Sequence, residues 1–162
     1  MSTLQMLCGK IAAGKSTLAA ELASNFDTIL VSEDKWLSVL FGEQMATVSD
    51  YIKYAAKFRR VMGPHVKSLL NAGVSVVLDF PANTIEDRAW MRKLLDGTGA
   101  RHQLHYLEVS DEECLNRLLA RNEMGTHAFS ATKEQFEQVT RHFVPPSPAE
   151  GFTVVIHRSG SG

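Results

Sequence analysis

At 162 residues and 17.9 kDa the chain has the size of one domain, large enough to bury roughly two-thirds of its unfolded surface without a disulfide or metal staple. Its 44% hydrophobic and 22% charged residues exclude a disordered or fibrous chain, and a net charge of −1 argues against long nucleic acid as a partner, because phosphate neutralisation calls for a basic excess. Cys8 and Cys114 lack metal-like spacing, there is no secretory leader pattern, and no apolar run reaches the ~18 residues of a membrane span, so a soluble cytoplasmic protein is expected.

In chain order, short apolar runs alternate with helical periodicities. Leu4 to Cys8 reads as a strand ending at Gly9, and Lys15 to Asn25 as a helix. Thr28 to Val31 is a second strand, after which Ser32 caps a helix from Glu33 to Phe41. Tyr51, Tyr54, Ala55, Phe58, Val61 and Met62 recur at the three- and four-residue spacing of one helix face. Gly63-Pro64 is expected to break or kink that helix, with a second piece carrying Val66, Leu69 and Leu70 to a Gly73 cap. Val74 to Phe80 is the most apolar strand, which suits a central position covered on both faces. Thr84 with Asp87 resembles a capping box opening a helix from Ile85 to Leu95. His102 to Val109 is a fourth strand, Ser110 caps a helix from Asp111 to Arg121, and 122–132 reads as a polar loop. Lys133 to Phe143 is a helix and Phe152 to His157 a fifth strand; the 159–162 tail is flexible by composition. Strands alternating with helices predict a parallel sheet with helices on both faces, an α/β sandwich.

The strongest motif opens the first helix. Gly9-Lys10-Ile11-Ala12-Ala13-Gly14-Lys15-Ser16 matches G-x-x-x-x-G-K-[ST] between a strand and a helix. At average residue usage such a match arises by chance in roughly one chain of this length in a few hundred. Glycines at these places let successive N–H groups point inward while the helix N-terminus adds positive charge, so the segment from Gly9 through Ser16 to Thr17 is expected to hold phosphates. Lys15 then reaches the β/γ oxygens and the Ser16 hydroxyl ligates Mg²⁺. ATP is the expected nucleotide, since the chain contains no N-K-x-D guanine-reading motif.

Carboxylates and arginines complete the expected constellation. Asp79 ends the central strand, where an acid can contact Mg²⁺. Asp34 follows the second strand, placed to accept a proton from a hydroxyl nucleophile; its neighbour Glu33 reads as solvated. Arg117 and Arg121 share a helix face and could offset charge on a transferred phosphoryl group, although Glu113–Arg117 could equally be a surface pair. Asn83 lies at the cleft mouth as a candidate for orienting the acceptor or the Asp79 shell, or as a simple turn residue. Tyr54, with Tyr51 and Phe58, could line an acceptor pocket or belong to the core. Lys57 and Arg60 lie off that stripe, and Arg141 and His142 fit a solvated face. His102 and His105 are three apart in a strand and point to opposite faces, against a shared metal; His65, His127 and His157 have no evident partner.

The segments GKIAAGKSTLAAELA, VSEDKWL, VVLDFPANTIEDRAWMRKLL and LEVSDEECLNRLLARN resemble the bacterial predicted-kinase family of small P-loop (AAA_33-type) proteins, over roughly residues 3 to 158. Relatives include the kinase domain of phage polynucleotide kinase and, more distantly, zeta toxins and chloramphenicol phosphotransferase. The resemblance implies a three-layer α/β/α P-loop fold, a five-stranded parallel sheet in order 2-3-1-4-5, a single kinase domain over 1–158 and a lid at about 122–132. It also implies Arg121-Asn122 at the lid entrance and Asp34 as general base. The sequence departs from the polynucleotide kinase at Leu37, where that kinase has an acceptor-binding arginine, and at Glu123-Met124-Gly125-Thr126, where a further lid arginine is missing. The expected function is therefore ATP- and Mg²⁺-dependent phosphorylation of a small-molecule hydroxyl. A 5′-hydroxyl oligonucleotide kinase and a non-transferring ATP-binding or ATPase module are the alternatives.

Overall fold

Apolar residues at every second position of a strand line one face of a sheet, and residues flanking them line the other. In the computed structural model, which describes residues 1–125 and 131–158, this rule builds a five-stranded, wholly parallel sheet in the order β2-β3-β1-β4-β5. The elements run β1 (Thr3–Cys8), α1 (Lys15–Ala23), β2 (Thr28–Ser32), α2 (Glu33–Phe41), α3 (Val48–Asn71), β3 (Ser75–Asp79), α4 (Ile85–Lys93), β4 (Arg101–Glu108), α5 (Asp111–Met124), α6 (Lys133–Thr140) and β5 (Val154–Arg158). The expected order and layering are those observed. Strand and helix ends differ from expectation by one to three residues, as frayed termini commonly do.

Helices cover both faces. On one, Leu4, Met6, Val76, Leu78 and Leu104 meet Phe58, Met62, Val66 and Leu70 of α3 and Met91 of α4. On the other, Leu7 and Val77 meet Ala19 of α1, while Leu107 packs with Cys114 and Leu118 of α5 and Phe136 of α6. Val76, Val77 and Leu78 are fully buried, as a central strand requires, and each such large aliphatic side chain contributes about 1.5–3 kcal/mol by leaving water.

Of the break or kink expected at Gly63-Pro64, the break is not found: α3 continues from Val48 to Asn71, with a Thr47–Asp50 capping box at its start. A proline inside a helix costs about 3 kcal/mol, and burial of Val66 and Leu70 beyond it offsets that cost. Gly73, at φ +86°, follows the helix end as expected. Ser32 stands at the N-cap of α2, but its side chain makes no capping bond there. Helix α5 also outlasts its expected end at Arg121, taking in residues 122–124, and stops where Gly125 adopts φ +64°. Of the expected lid and tail, 126–130 (with His127) and 159–162 lie outside the described residues. Among the described residues no helix is long and apolar enough to cross a membrane.

Candidate active site

In parallel α/β sheets, ligands bind beyond the carboxyl ends of the strands, near the place where strand order reverses. Here that place is the end of β1, with β3 and β2 to one side and β4 and β5 to the other. The loop leaving Cys8 turns back on itself through left-handed conformations at Ala12 (φ +65°) and Gly14 (φ +103°). Alternation of this kind turns consecutive N–H groups toward one concavity, which suits an anion. Gly9 suits close packing, since a Cβ there would lie 3.2 Å from the Ala13 Cβ and 3.3 Å from the Leu107 Cβ.

Lys15 bends over this loop, donating to the carbonyls of Gly9 (2.6 Å) and Lys10 (2.8 Å). Burial lowers its pKa, opposed by the negative fields of Asp79 and Asp34. The Ser16 hydroxyl donates to Asp79 Oδ2 at 3.3 Å, so the two expected metal ligands are neighbours. Burial raises the Asp79 pKa, and Lys15 opposes the rise. Lys10 instead extends away to α5, where it pairs with Asp111 at 2.5 Å and lies over the Phe143 ring. Ile11 and Ala12 pack against the α5 cluster, and Thr17 is exposed.

Asp34 stands in the first turn of α2, directly after β2, whose Ser32 is in register with Asp79 of β3. Its field reaches Lys15, Asp79 and Arg121, acting on the proton affinity of each. The Tyr51 hydroxyl, 3.1 Å from Asp34 Oδ1 and 2.6 Å from Glu33 Oε1, is shared between the two carboxylates. Burial, reinforced by these acids, holds Tyr51 well above the usual phenol range.

Glu33 is not solvated, contrary to expectation. Its side chain is fully buried, and Arg59 Nε meets Oε2 at 2.9 Å while Arg59 Nη1 meets Asp87 at 2.7 Å. Helix geometry explains the reversal: Glu33 and Leu37 are four apart and share the inward face of α2. Burial raises the Glu33 pKa, against the pull of Arg59.

Arg117 makes the Glu113 pair considered for it, at 2.6 Å, and in addition donates to the Ala13 carbonyl at 3.3 Å, which ties α5 to the loop. Arg121 differs. Its Nε is buried with no hydrogen-bond partner among the described residues. Burial lowers the Arg121 pKa and Asp34 opposes the fall.

Asn83 is found neither at Asp79 nor in a free turn: its Oδ1 accepts from the Gly9 N–H at 3.1 Å and its own carbonyl accepts from the Val144 N–H at 2.8 Å. It holds the start of the loop. Tyr54 stacks on Phe41 at 4.5 Å with Lys53 and Lys57 over its ring; the tyrosine reaching Asp34 is Tyr51. His157 does have a partner, His105, at 2.9 Å, and the far nitrogen of His105 meets Gln5 at 2.7 Å. Arg59 and Arg88 carry structural roles that sequence reasoning missed. Arg88, fully buried, donates to Glu150 (2.6 Å) and to the carbonyls of Ala82 (2.9 Å) and Val144 (2.7 Å). Its spacing of three from the buried Met91 could have marked it as inward-facing; Arg59 carries the same mark, three residues before the buried Met62 and four after the buried Ala55.

The arrangement has counterparts. Over 99% of its length the chain superposes on 86% of a candidate kinase from Chloroflexus aurantiacus, with a TM-score of 0.78 and 20% identity. It superposes similarly on Chaetomium thermophilum Kti12 in complex with ADP-AlF3 (TM-score 0.74, 14% identity, 98% of this chain and 90% of that one). A gluconokinase from Sinorhizobium meliloti matches at TM-score 0.61 and 14% identity, over 99% of this chain and 83% of the other. These likenesses establish a P-loop kinase-like fold. No curated protein matches in sequence. The sequence profile of the AAA domain family covers residues 4–146, most of the fold and all of the loop together with Asp34 and Asp79, and the chain belongs to that family.

Proposed function

We propose that this protein is an ATP- and magnesium-dependent kinase that phosphorylates a hydroxyl group of a small molecule. One observation carries the reading: Asp34 stands at the same sheet edge as the anion-binding loop, in the first turn of α2 directly after β2, whose Ser32 is in register with Asp79. A binding module needs the loop; it does not need a further carboxylate at that edge.

The residues fit the groups they would bind. The loop concavity and the Lys15 ammonium suit a triphosphate, whose oxygens would take the place of the Gly9 and Lys10 carbonyls now held by Lys15. Ser16 and Asp79 would hold Mg²⁺, an oxygen-seeking ion that neutralises charge on the β- and γ-phosphates. Asp34 accepts the acceptor's proton as the hydroxyl oxygen bonds to the γ-phosphorus and the bond from that phosphorus to the β,γ-bridging oxygen breaks. The products are a phosphate ester and ADP, and the proton on Asp34 passes to solvent. Arg121, whose buried Nε has no partner among the described residues, offsets charge on the group in flight. Arg117, already engaged by Ala13 and Glu113, fixes α5 against the loop and adds its charge from there.

A small acceptor is favoured over an oligonucleotide end because Leu37 is fully buried. No cation at that position can meet an acceptor phosphate. The test is transfer of labelled γ-phosphate to a panel of sugars, antibiotics and a short 5′-hydroxyl oligonucleotide, with two variants alongside. Asp34→Asn should lower turnover by about 10²–10⁴-fold with ATP binding intact, whereas Lys15→Ala should lose both. Undiminished turnover in Asp34→Asn would remove Asp34 from the mechanism.

A further inference from the structure

Away from the sheet edge, α3 and α4 enclose a second concavity of about 320 Å³. Among the described residues four cations line it, Arg59, Arg60 and Lys67 from α3 and Lys93 from α4, and no acid does. The chain as a whole carries slightly more acidic than basic residues, 18 against 17, so this is not a sample of a generally basic surface. Arg59 is already neutralised by Glu33 and Asp87. Arg60, Lys67 and Lys93 have no ion-pair partner among the described residues.

Helical spacing explains why they converge. Arg60 and Lys67 are seven residues apart, two turns along one face of α3, and Lys93 follows Trp90 by three on α4. The floor between them is the Trp90 indole, Leu94 and the Gly63-Pro64 pair. That pair breaks the local rule for a helix interior, where glycine costs about 1 kcal/mol and proline about 3 kcal/mol relative to alanine. It also leaves the depression open: a Cβ on Gly63 would meet Leu94 at 3.5 Å and Trp90 at 3.7 Å. Violations of local preference that persist in a folded chain concentrate at functional positions.

We propose that this concavity is a binding site for a phosphate-bearing small molecule, separate from the nucleotide loop. Arg60, Lys67 and Lys93 hold its phosphate oxygens, and any flat or apolar part lies against Trp90. The inference goes beyond the kinase reading and does not depend on it.

The chain has two tryptophans, so Trp36→Phe leaves Trp90 as the sole tryptophan, excited selectively at wavelengths where tyrosine does not absorb. Inorganic pyrophosphate is titrated into that variant, with sodium chloride of matched ionic strength as control. A hexose phosphate serves as a second arm to separate a free inorganic ligand from an organic phosphate. A saturable change in Trp90 emission is expected in at least one arm and not with chloride. It should persist when Lys15→Ala is added, which removes the lysine bent over the loop, and weaken at least about tenfold in Lys67→Gln combined with Lys93→Gln. Absence of a saturable change up to about 10 mM ligand, or an unaltered curve in the double-glutamine variant, overturns the proposal.

Discussion

Replacing Arg59 with methionine tests the buried network behind Asp34. The substitution keeps apolar volume over Trp90 and Phe80, whose ring centroids lie 5.2 and 5.7 Å from the guanidinium carbon, while removing the cation paired with a fully buried Glu33. Asp87, with 26% of its side chain exposed, is rehydrated and loses little. Glu33 is not, and an uncompensated buried carboxylate costs about 3–5 kcal/mol. Burial already raises the Glu33 pKa and Arg59 opposes the rise, so its loss drives the pKa further up. A native state with a raised carboxyl pKa binds a proton that the unfolded chain lacks. Stability then falls as pH rises from the unfolded value through the folded one, by about 1.4 kcal/mol per pH unit. The deficit against the parent, measured by urea denaturation, should therefore be greatest near about pH 8 and narrow toward about pH 5. Adding Glu33→Gln removes the stranded charge and should restore most of the loss. A deficit that is below about 1 kcal/mol, independent of pH, or unrelieved in the double variant refutes the reasoning.

Two further outcomes follow from other contacts. Asn83→Ala strips the acceptor from a buried Gly9 N–H, so it should cost about 1–3 kcal/mol in denaturation experiments and weaken ATP binding in calorimetry by loosening the start of the loop. His105 is pushed down from 6.5 to about 4, by burial first and by His157 second. Because the unfolded chain takes up a proton there that the native state refuses, stability should fall as pH drops from 6.5 toward 4. Thermal melts of His105→Gln should be flatter across that window than those of the parent, and equal slopes would exclude His105 as the titrating group.

Much was legible in the chain itself because its signals are local. The phosphate-type loop is eight contiguous residues whose glycines dictate backbone shape, and strand alternation with helical spacing dictates a parallel sheet. The carboxylates at strand ends follow from that topology: Asp79 and Asp34 arrive near the loop because β3 lies beside β1 and β2 lies beside β3. What the fold decided is what depends on partners distant in sequence. Glu33 is buried because Arg59, 26 residues away, meets it; Asn83 buttresses a loop 74 residues away; Arg88 is held by Glu150, 62 residues away. Pro64 stays helical because the apolar residues around it are buried against the sheet and α4. Periodicity reports which side of an element faces inward. Which side chain waits there, and whether it offsets a charge, is settled only when the chain closes on itself.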